Sequence, residues 1–421
     1  MIDFSSSAAR FEQELGGIAL PQMTLVERSM PTPPALADID AAVAAAIATV
    51  AVPRGNVAVG VGSRGIAEIG TIVASLVRAL RAGGAAPYIV PAMGSHGAST
   101  AAGQVDVLAH LGVTEATAGC PIRATMETVR VGATPDGLDV YLDAIANEAD
   151  AIVVVNRIKP HTSFSGPIES GPAKMLAIGL GKKDGARSIH SLGWAGMARN
   201  VPAAAGVVLE TGKVAFALAI LENAAEEPCR IEAIAAADIL RAEPELLAQA
   251  KANLARLPLD RMDVLVVDRV GKSVSGGGGD PNVTGRYPSD YISGGPNVTR
   301  LVYLAMTPDS DGNANGVGLC DVITQELASR YDPLPTYLNA LTTTAAINAR
   351  IPMIMPTKRL AVAAALRMCP GVDPKHAVVV RVLDTLHLQR AWLSAAALRA
   401  VTEDYRVLRV SAETNLDDGY A

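Results

Sequence analysis

The chain has 421 residues, which is long enough to bury a large core and to form two domains of ordinary size. Half of the residues are hydrophobic, 19% are charged and only 4% are aromatic, so we expect a core of Ala, Val, Leu and Ile, as in helices laid against a sheet. The net charge of -6 and the scarcity of aromatic residues argue against a nucleic-acid binder.

The amino-terminal residues contain no basic stretch followed by an apolar run, and apolar stretches such as 41–52 are too short or too interrupted to span a bilayer. We therefore expect a cytoplasmic protein without a membrane segment. The four cysteines lie far apart and show no C-x-x-C spacing, so we expect reduced core residues at these positions: Cys120, Cys229, Cys320 and Cys369.

Short β-branched runs alternate with Ala- and Leu-rich stretches, which predicts βα units and a largely parallel sheet. In the first half we predict strands at 57–61, 87–91 and 151–155, and helices at 66–82, 100–111, 201–221 and 231–257. In the second half we predict strands at 263–267, 301–306, 377–383 and 405–410. The predicted fold class is α/β with two α/β domains: residues 1–258 for catalysis and cofactor binding, and residues 259–421, which close over an active site in the cleft between them.

Two glycine-rich loops follow predicted strands, where ligands of doubly wound sheets bind. In the loop at 60–65, backbone N–H groups and Arg64 suit an anion, although an ordinary βα turn explains the pattern equally well. The loop at 91–100 places His96 between two glycines, where the ring has little packing to do, so we favour a functional role. The histidines in ordinary helical or strand context are interpreted as structural: His110, His376 and His387.

The densest group of reactive side chains follows the strand predicted at 151–155. A long irregular segment holds Lys159, His161, Lys174 and His190, and such segments are usually functional. No spacing matches a standard metal motif, but neutral imidazole suits nickel, zinc, copper or iron, and a buried lysine can react covalently. Histidines also serve as general acids or bases near neutral pH. The residues alone predict a metal- or cofactor-assisted acid/base enzyme that acts on an anionic substrate.

Taken in order, these motifs resemble the nickel-dependent lactate racemase family. The matching pieces are G-S-H-G-A-S-T around His96, I-K-P-H around His161, S-G-P-A-K-M around Lys174 and S-I-H-S around His190. The interval between Lys174 and His190 agrees with the family pattern, whereas the interval between His161 and Lys174 is somewhat longer.

The resemblance implies an isomerase, a racemase or epimerase that inverts C2 of a 2-hydroxy acid by reversible hydride transfer to a nickel-pincer nucleotide (pyridinium-3,5-bisthiocarboxylic acid mononucleotide nickel). Lys174 would hold this nucleotide through a thioamide, and His190 would be the protein ligand to nickel. His96 and His161 would form an acid/base pair on opposite faces of the substrate. The cofactor would be supplied by separate maturation enzymes.

The same resemblance implies further contacts. Arg64 resembles the substrate-orienting arginine of the family, and Lys272 is a candidate for the second cationic contact with the substrate. Ser63, Lys159 and Asp280 are candidates for contacts with the cofactor.

Two departures from the family pattern bear on the substrate. Val61 stands where the pattern has an acidic residue, and the glycine-rich loop around Gly276–Gly279 matches poorly; a flexible glycine loop without a role explains it equally well. The polar lining of this loop favours a substrate that is larger and more hydroxylated than lactate, such as a sugar acid.

Three alternatives stay open at this level. A zinc-dependent hydrolase could use His96, His161 and His190 as ligands to one metal ion that activates water. A non-catalytic protein could use the glycine loops to bind a carboxylate or phosphate. The family fold could also serve a dehydration or a one-way isomerisation at C2. The composition is compatible with a homo-oligomer.

Overall fold

The fold is that of a computed structural model, which describes residues 7–30, 32–63, 65–411 and 416–420. The chain divides into two compact units, one of Thr32–Leu254 and one of Met1–Pro31 together with Ala255–Ala421. In the described ranges, no helix combines the length and apolarity that are needed to cross a membrane.

The strands, in chain order, are β1 (Met23–Arg28), β2 (Gly55–Val61), β3 (Ala85–Pro91), β4 (Thr128–Ala133), β5 (Asp139–Asp143), β6 (Ala151–Arg157), β7 (Val214–Glu222), β8 (Pro228–Ala235), β9 (Arg261–Val270), β10 (Asn297–Met306), β11 (Val322–Thr324), β12 (Met353–Met355), β13 (Val379–Val382), β14 (Arg390–Ser394) and β15 (Tyr405–Val410).

The α-helices are α1 (Ala8–Leu15), α2 (Ile39–Ile47), α3 (Ile69–Ala82), α4 (Ala101–His110), α5 (Glu115–Ala118), α6 (Ala144–Glu148), α7 (Pro172–Lys174), α8 (Lys182–His190), α9 (Gly193–Glu210), α10 (Ile239–Ala252), α11 (Pro281–Thr284), α12 (Gln325–Ser329), α13 (Pro333–Thr343), α14 (Lys358–Arg367) and α15 (Ala395–Ala400).

The unit of residues 32–254 is built on a five-stranded sheet with the order β3-β2-β6-β7-β8. The first four strands are parallel, and β8 runs antiparallel to β7. Ile152 and Val154 of β6 pack into one apolar cluster, and Val153 and Val155 pack into another. Both faces of this sheet are therefore covered, as the continuous apolar run of β6 predicted.

The other unit contains an eight-stranded sheet with the order β12-β11-β10-β9-β13-β14-β1-β15. Strands β9 to β13 pair in parallel, whereas β14, β1 and β15 pair antiparallel. Strand β1 thus lies between β14 and β15, so the amino-terminal residues belong to this unit and not, as the division at 258 implied, to the first. The sequence offers no local signal for such a long-range pairing. The α/β class with largely parallel sheets is confirmed.

Two predicted helices are wrong in part. In the stretch predicted as one helix at 201–221, helix α9 ends at Glu210 and strand β7 follows. In the stretch predicted as one helix at 231–257, the first residues belong to strand β8, and helix α10 follows. The apolar run of β7 is buried in the middle of the sheet, where a strand has no polar face, so hydrophobic periodicity does not separate it from a buried helix. The cysteines are free thiols, and all but the half-buried Cys229 are buried.

Candidate active site

Three loops meet at one edge of the five-stranded sheet. Strands β2, β3 and β6 are parallel neighbours, so the loops that follow them all leave from the carboxyl edge of the sheet. The connection from β2 leads to β3 on one side, whereas the connection from β6 leads to β7 on the other. The loops after β2 and β6 therefore flank a point where the strand order reverses, which is the usual ligand position in such sheets.

The three loops also contact one another. A Cβ atom built at Gly62, directly after β2, would lie 3.3 Å from Asn156 Oδ1 and 3.4 Å from Met175 Sδ. The backbone N–H of Gly94 donates to Gly179 O at 3.1 Å. The loop after β2 thus packs against the segment that carries Lys174, and the loop after β3 bonds to the same segment.

His96 lies exposed in the loop after β3, as the sequence predicted. Its ring Nδ1 is hydrogen-bonded to Ser63 Oγ in the loop after β2. A hydroxyl group can donate or accept, so this contact is compatible with either neutral tautomer of the ring. Ser63 and His96, singled out separately in the sequence, are in direct contact.

His161 is held differently. The backbone N–H of Ser163 donates to His161 Nδ1 at 3.1 Å, and the His161 N–H donates to Glu169 Oε2 at 2.7 Å. A backbone N–H can only donate, so Nδ1 must act as an acceptor and the neutral ring carries its proton on Nε2. Phe164 packs against the ring, with 4.5 Å between the ring centroids.

Glu169 closes the loop that carries His161. Its carboxylate is buried and also accepts from Gly166 N at 3.0 Å and from Lys251 Nζ of α10 at 2.6 Å. The backbone N–H of Lys159 donates to Ser170 O at 2.9 Å, which joins the two ends of the loop. The side chain of Lys159 is partly exposed.

Lys174 ends a short helical turn whose other residues are buried. Glu243 of α10 accepts from Ala173 N at 2.9 Å, and its second oxygen, Oε1, has no hydrogen-bond partner among the described residues. Burial of this carboxyl raises the pKa of Glu243 to about 7, although the Ala173 N–H opposes the shift. A π-helical turn, Met175–Gly179, then leads towards α8.

His190 ends α8 close to Lys174. Burial, and to a lesser degree the positive charge of Lys174, lowers the pKa of His190 to about 4. The ring is therefore neutral near pH 7, and its Nδ1 is buried with no hydrogen-bond partner in the described part of the chain. Trp194 packs edge-on against it at 5.3 Å between ring centroids and also contacts the His161 ring at 5.9 Å.

The structure thus brings together most of the residues predicted in the first unit: Ser63 contacts His96, Lys174 acts on His190, and Trp194 lies between His161 and His190. Arg64 lies outside the described residues. The histidines interpreted as structural lie exposed outside these loops: His110, His376 and His387.

Two predicted residues belong to the other unit. Lys272 lies after β9, and its Nζ donates to Gly276 O at 2.9 Å. Asp280 begins α11, where its side chain accepts from Asn282 N at 2.9 Å. Both contacts lie within the glycine-rich segment itself, and the roles of Lys272 and Asp280 stay predictions.

The single-zinc alternative required three ligands at one point. Among the described residues, which include His96, His161 and His190, no three His, Cys, Asp or Glu side chains are grouped so that they could hold a metal ion. The arrangement does not favour that alternative.

Sequence reasoning missed four polar residues that support these loops: Gln104, Glu169, Lys182 and Glu243. All four are buried. A charged or amide side chain within an otherwise apolar helical pattern was the available signal for Gln104, Lys182 and Glu243, since such groups are rarely buried without partners.

Comparisons with known proteins agree with the site. Residues 38–200 match the family model of the lactate racemase N-terminal domain. The structure of the lactate racemase apoprotein from Thermoanaerobacterium thermosaccharolyticum is similar to this chain with a TM-score of 0.51 and 13% sequence identity, over 87% of this chain and 99% of that one. At this identity the likeness concerns the fold alone. No curated protein sequence matches the chain.

Fold and site together define an α/β protein with two histidines, a lysine and a neutral, buried imidazole at the carboxyl edge of a parallel sheet. The family model covers the loops of His96, His161, Lys174 and His190. Residues 38–200 thus match the lactate racemase N-terminal domain, as the motifs in this part of the chain predicted.

Proposed function

We propose that this protein is a racemase or epimerase that inverts C2 of a 2-hydroxy acid, with a nickel-pincer nucleotide held by Lys174 and His190. The observation that carries the proposal is the state of His190. A neutral imidazole with an unpartnered nitrogen, beside a lysine, is what a metal held next to a lysine-bound group requires. The match of residues 38–200 to the lactate racemase N-terminal domain supports the racemase or epimerase class.

The residues present fit this cofactor. Lys174 is the partly exposed side chain of an otherwise buried turn, so its amine can be reached while its backbone is fixed. Nickel at His190 would give the ring nitrogen the partner that it lacks. When bound, the nucleotide would accept the hydrogen of C2 together with the bonding electron pair and later return it, which is chemistry that side chains do not offer. Ser63, Lys159 and Asp280 are our candidates for further contacts with it.

The two histidines would handle the proton of the substrate hydroxyl. In the tautomer in which His96 donates Nδ1–H to Ser63 Oγ, Nε2 carries the lone pair that would accept that proton as a general base. Neutral His161 presents Nε2–H, because its Nδ1 accepts from Ser163 N, so it is suited to donate a hydrogen bond to the substrate oxygen. Inversion requires a proton-handling group on each face of C2, and we assign these two roles to His96 and His161, which lie on separate loops.

The substrate class follows from charge and polarity. Arg64 and Lys272 are proposed to bind the carboxylate of the substrate. The polar groups near Lys272 include Ser275 of the glycine-rich loop and Asn315, whose Nδ2 donates to Gly276 O, and we take them to favour a hydroxylated acid such as a sugar acid.

Mass spectrometry of Lys174 tests this function. We expect protein made in a host with nickel and the cofactor pathway to carry an adduct on the peptide of Lys174, and to change the optical purity of one of a panel of 2-hydroxy acids. Lys174→Ala should lose both, whereas Lys183→Ala, which removes an exposed lysine of the same segment, should keep both. An unmodified Lys174 with zinc retained would contradict the proposal and favour the hydrolase.

The proposed partners are the enzymes that make and load the cofactor, and a second copy of the chain. Helix α13 contains no charged residue and exposes four apolar side chains on one face, which is unusual for a surface helix. These are Leu334, Tyr337, Leu338 and Leu341. A cytoplasmic location stays a prediction.

A further inference from the structure

Lys182 is a fully buried lysine at the start of α8, midway in sequence between Lys174 and His190. Its ammonium group faces three acceptors: the carbonyl oxygen of Pro91 at the end of β3, Gln104 Oε1 of α4 at 2.9 Å, and Asp143 Oδ2 of β5 at 3.1 Å. Two of its donors form the hydrogen bonds to Pro91 O and Gln104 Oε1, and the Asp143 carboxylate provides the opposite charge as an ion pair. It links the segment of Lys174 and His190 to the strand and helix on either side of the His96 loop.

Gln104 continues this link into the His96 loop. While its Oε1 accepts from Lys182, its Nε2 donates to Gly94 O at 2.9 Å and to His96 O at 3.3 Å. The side chain is fully buried. One amide group thus joins a charged donor on the segment of Lys174 and His190 to the backbone of the proposed base.

The His96 loop needs such support because its backbone is unusual. Gly97, Ala98 and Ser99 have φ values of 64°, 54° and 55°, in the left-handed region that non-glycine residues rarely adopt. Ser99 Oγ donates to Ser95 O at 3.0 Å, and Thr100 caps α4. Within the loop, Ser99 N donates to the His96 carbonyl at 3.3 Å, and Gln104 reaches the same carbonyl from outside the loop.

We propose that Gln104 and Lys182 are positioning residues. They connect the segment of Lys174 and His190 to the His96 loop, and so fix the position of the His96 ring relative to that segment. The inference rests on the proposed roles of His96, Lys174 and His190. The ion pair of Lys182 and Asp143 does not by itself indicate such a role, because proteins in which a buried ion pair is replaced by apolar residues of similar size are often equally stable. The distinguishing feature is the direction of the Gln104 donors, which both point at loop carbonyls.

Gln104→Glu distinguishes the contact of Gln104 with Lys182 from its contacts with the loop carbonyls. The glutamate keeps an acceptor for Lys182 but has no donor for the loop carbonyls, whereas Gln104→Met removes both contacts. Gln249→Glu is the matched control, because Gln249 is a half-buried glutamine of α10 away from these loops, and its Oε1 accepts from Arg230, as a glutamate oxygen also can. Amide hydrogen exchange is measured on the full chain without cofactor, and turnover is measured on loaded enzyme as kcat per bound nickel.

In Gln104→Glu and Gln104→Met we expect exchange across residues 94–100 to rise at least about tenfold, with the loop of residues 160–170 unchanged. We expect kcat to fall about 10- to 100-fold, as a small misplacement of a reacting group does, with KM changed less than about threefold and nickel content preserved. Gln249→Glu should match the wild type in all three measurements.

Exchange and kcat values in Gln104→Glu that equal those of Gln249→Glu would overturn the proposal. If both Gln104 variants fail to fold, the paired variant Lys182→Met with Asp143→Asn decides, because it removes the buried charges together and should still loosen residues 94–100. A wild type that turns over no 2-hydroxy acid would refute the proposed function, whereas the exchange arm would still decide whether the link holds the loop.

Discussion

The clearest quantitative expectation concerns the pKa of His190. Burial and the charge of Lys174 lower it to about 4 in the folded protein, from an ordinary value of 6.5. Lys174→Met removes the positive charge but leaves the burial of the ring, so the pKa of His190 should rise but stay below 6.5. Lys174→Arg keeps the charge and should leave it near about 4. Attachment of a cofactor to Lys174 would remove the amine charge and shift the pKa upward, as Met does.

The magnitude can be expressed as stability. The difference between the folded and ordinary pKa values corresponds to about 3 kcal/mol at 1.36 kcal/mol per pH unit. Between pH 6.5 and about 4, the unfolded chain binds a proton at His190 that the folded chain does not. The free energy of unfolding should therefore fall as the pH falls through this window, by up to about 3 kcal/mol from His190 alone.

Two assays measure these quantities. Histidine C2 hydrogen–deuterium exchange, read by mass spectrometry, gives the pKa of His190 in the wild type and in both Lys174 variants. Urea unfolding between pH 4 and 7 gives the stability, with His190→Gln as the variant that lacks this titration. A His190 pKa at or above 6.5 in the wild type, or identical values in the Met and Arg variants, would refute the reasoning.

Three further outcomes are expected. Because burial raises the pKa of Glu243 to about 7 from 4.5, the wild type should lose up to about 3 kcal/mol as the pH rises from 4.5 to 7, and urea unfolding of Glu243→Gln should show no such loss; parallel curves would contradict this. Glu169→Gln removes a carboxylate that accepts from three donors, and it should lower the free energy of unfolding by about 1–3 kcal/mol. Lys251→Met should lower it less, because the Lys251 side chain is partly exposed; a larger loss in Lys251→Met than in Glu169→Gln in urea unfolding would refute this expectation. The wild type should self-associate through α13 in light scattering, and Leu334→Glu with Leu341→Glu should be monomeric; equal masses would exclude that surface.

The sequence predicted the sheet where local pattern and tertiary environment agree. Strands β2, β3 and β6 were found because each is a short apolar run followed by a glycine- or proline-containing loop. The same pattern placed three reactive loops after these strands, and parallel pairing brings them to one edge. The contact between Ser63 and His96 follows from this topology, since the two residues lie in neighbouring loops.

The remainder of the site depends on contacts that are distant in sequence. Glu243 reaches the Lys174 turn from α10, and Gln104 reaches Lys182 from α4. Each of these side chains lies in a helix whose local sequence is equally compatible with exposure. Only the packing of that helix against the sheet decides that the group is buried and which backbone atoms it meets.

The three histidines of the site lie in environments that match different chemical demands. A metal ligand must stay unprotonated, and burial beside Lys174 keeps His190 neutral over the whole physiological range. A general base must gain and lose a proton, and the exposed His96 bonds to a hydroxyl that can follow either state. His161 Nδ1 accepts from the backbone N–H of Ser163, which can only donate, so the neutral ring carries its proton on Nε2. Identical residue types in the sequence thus lie in different environments because their burial and hydrogen-bond partners differ, and this difference is where the structure adds most to the motifs.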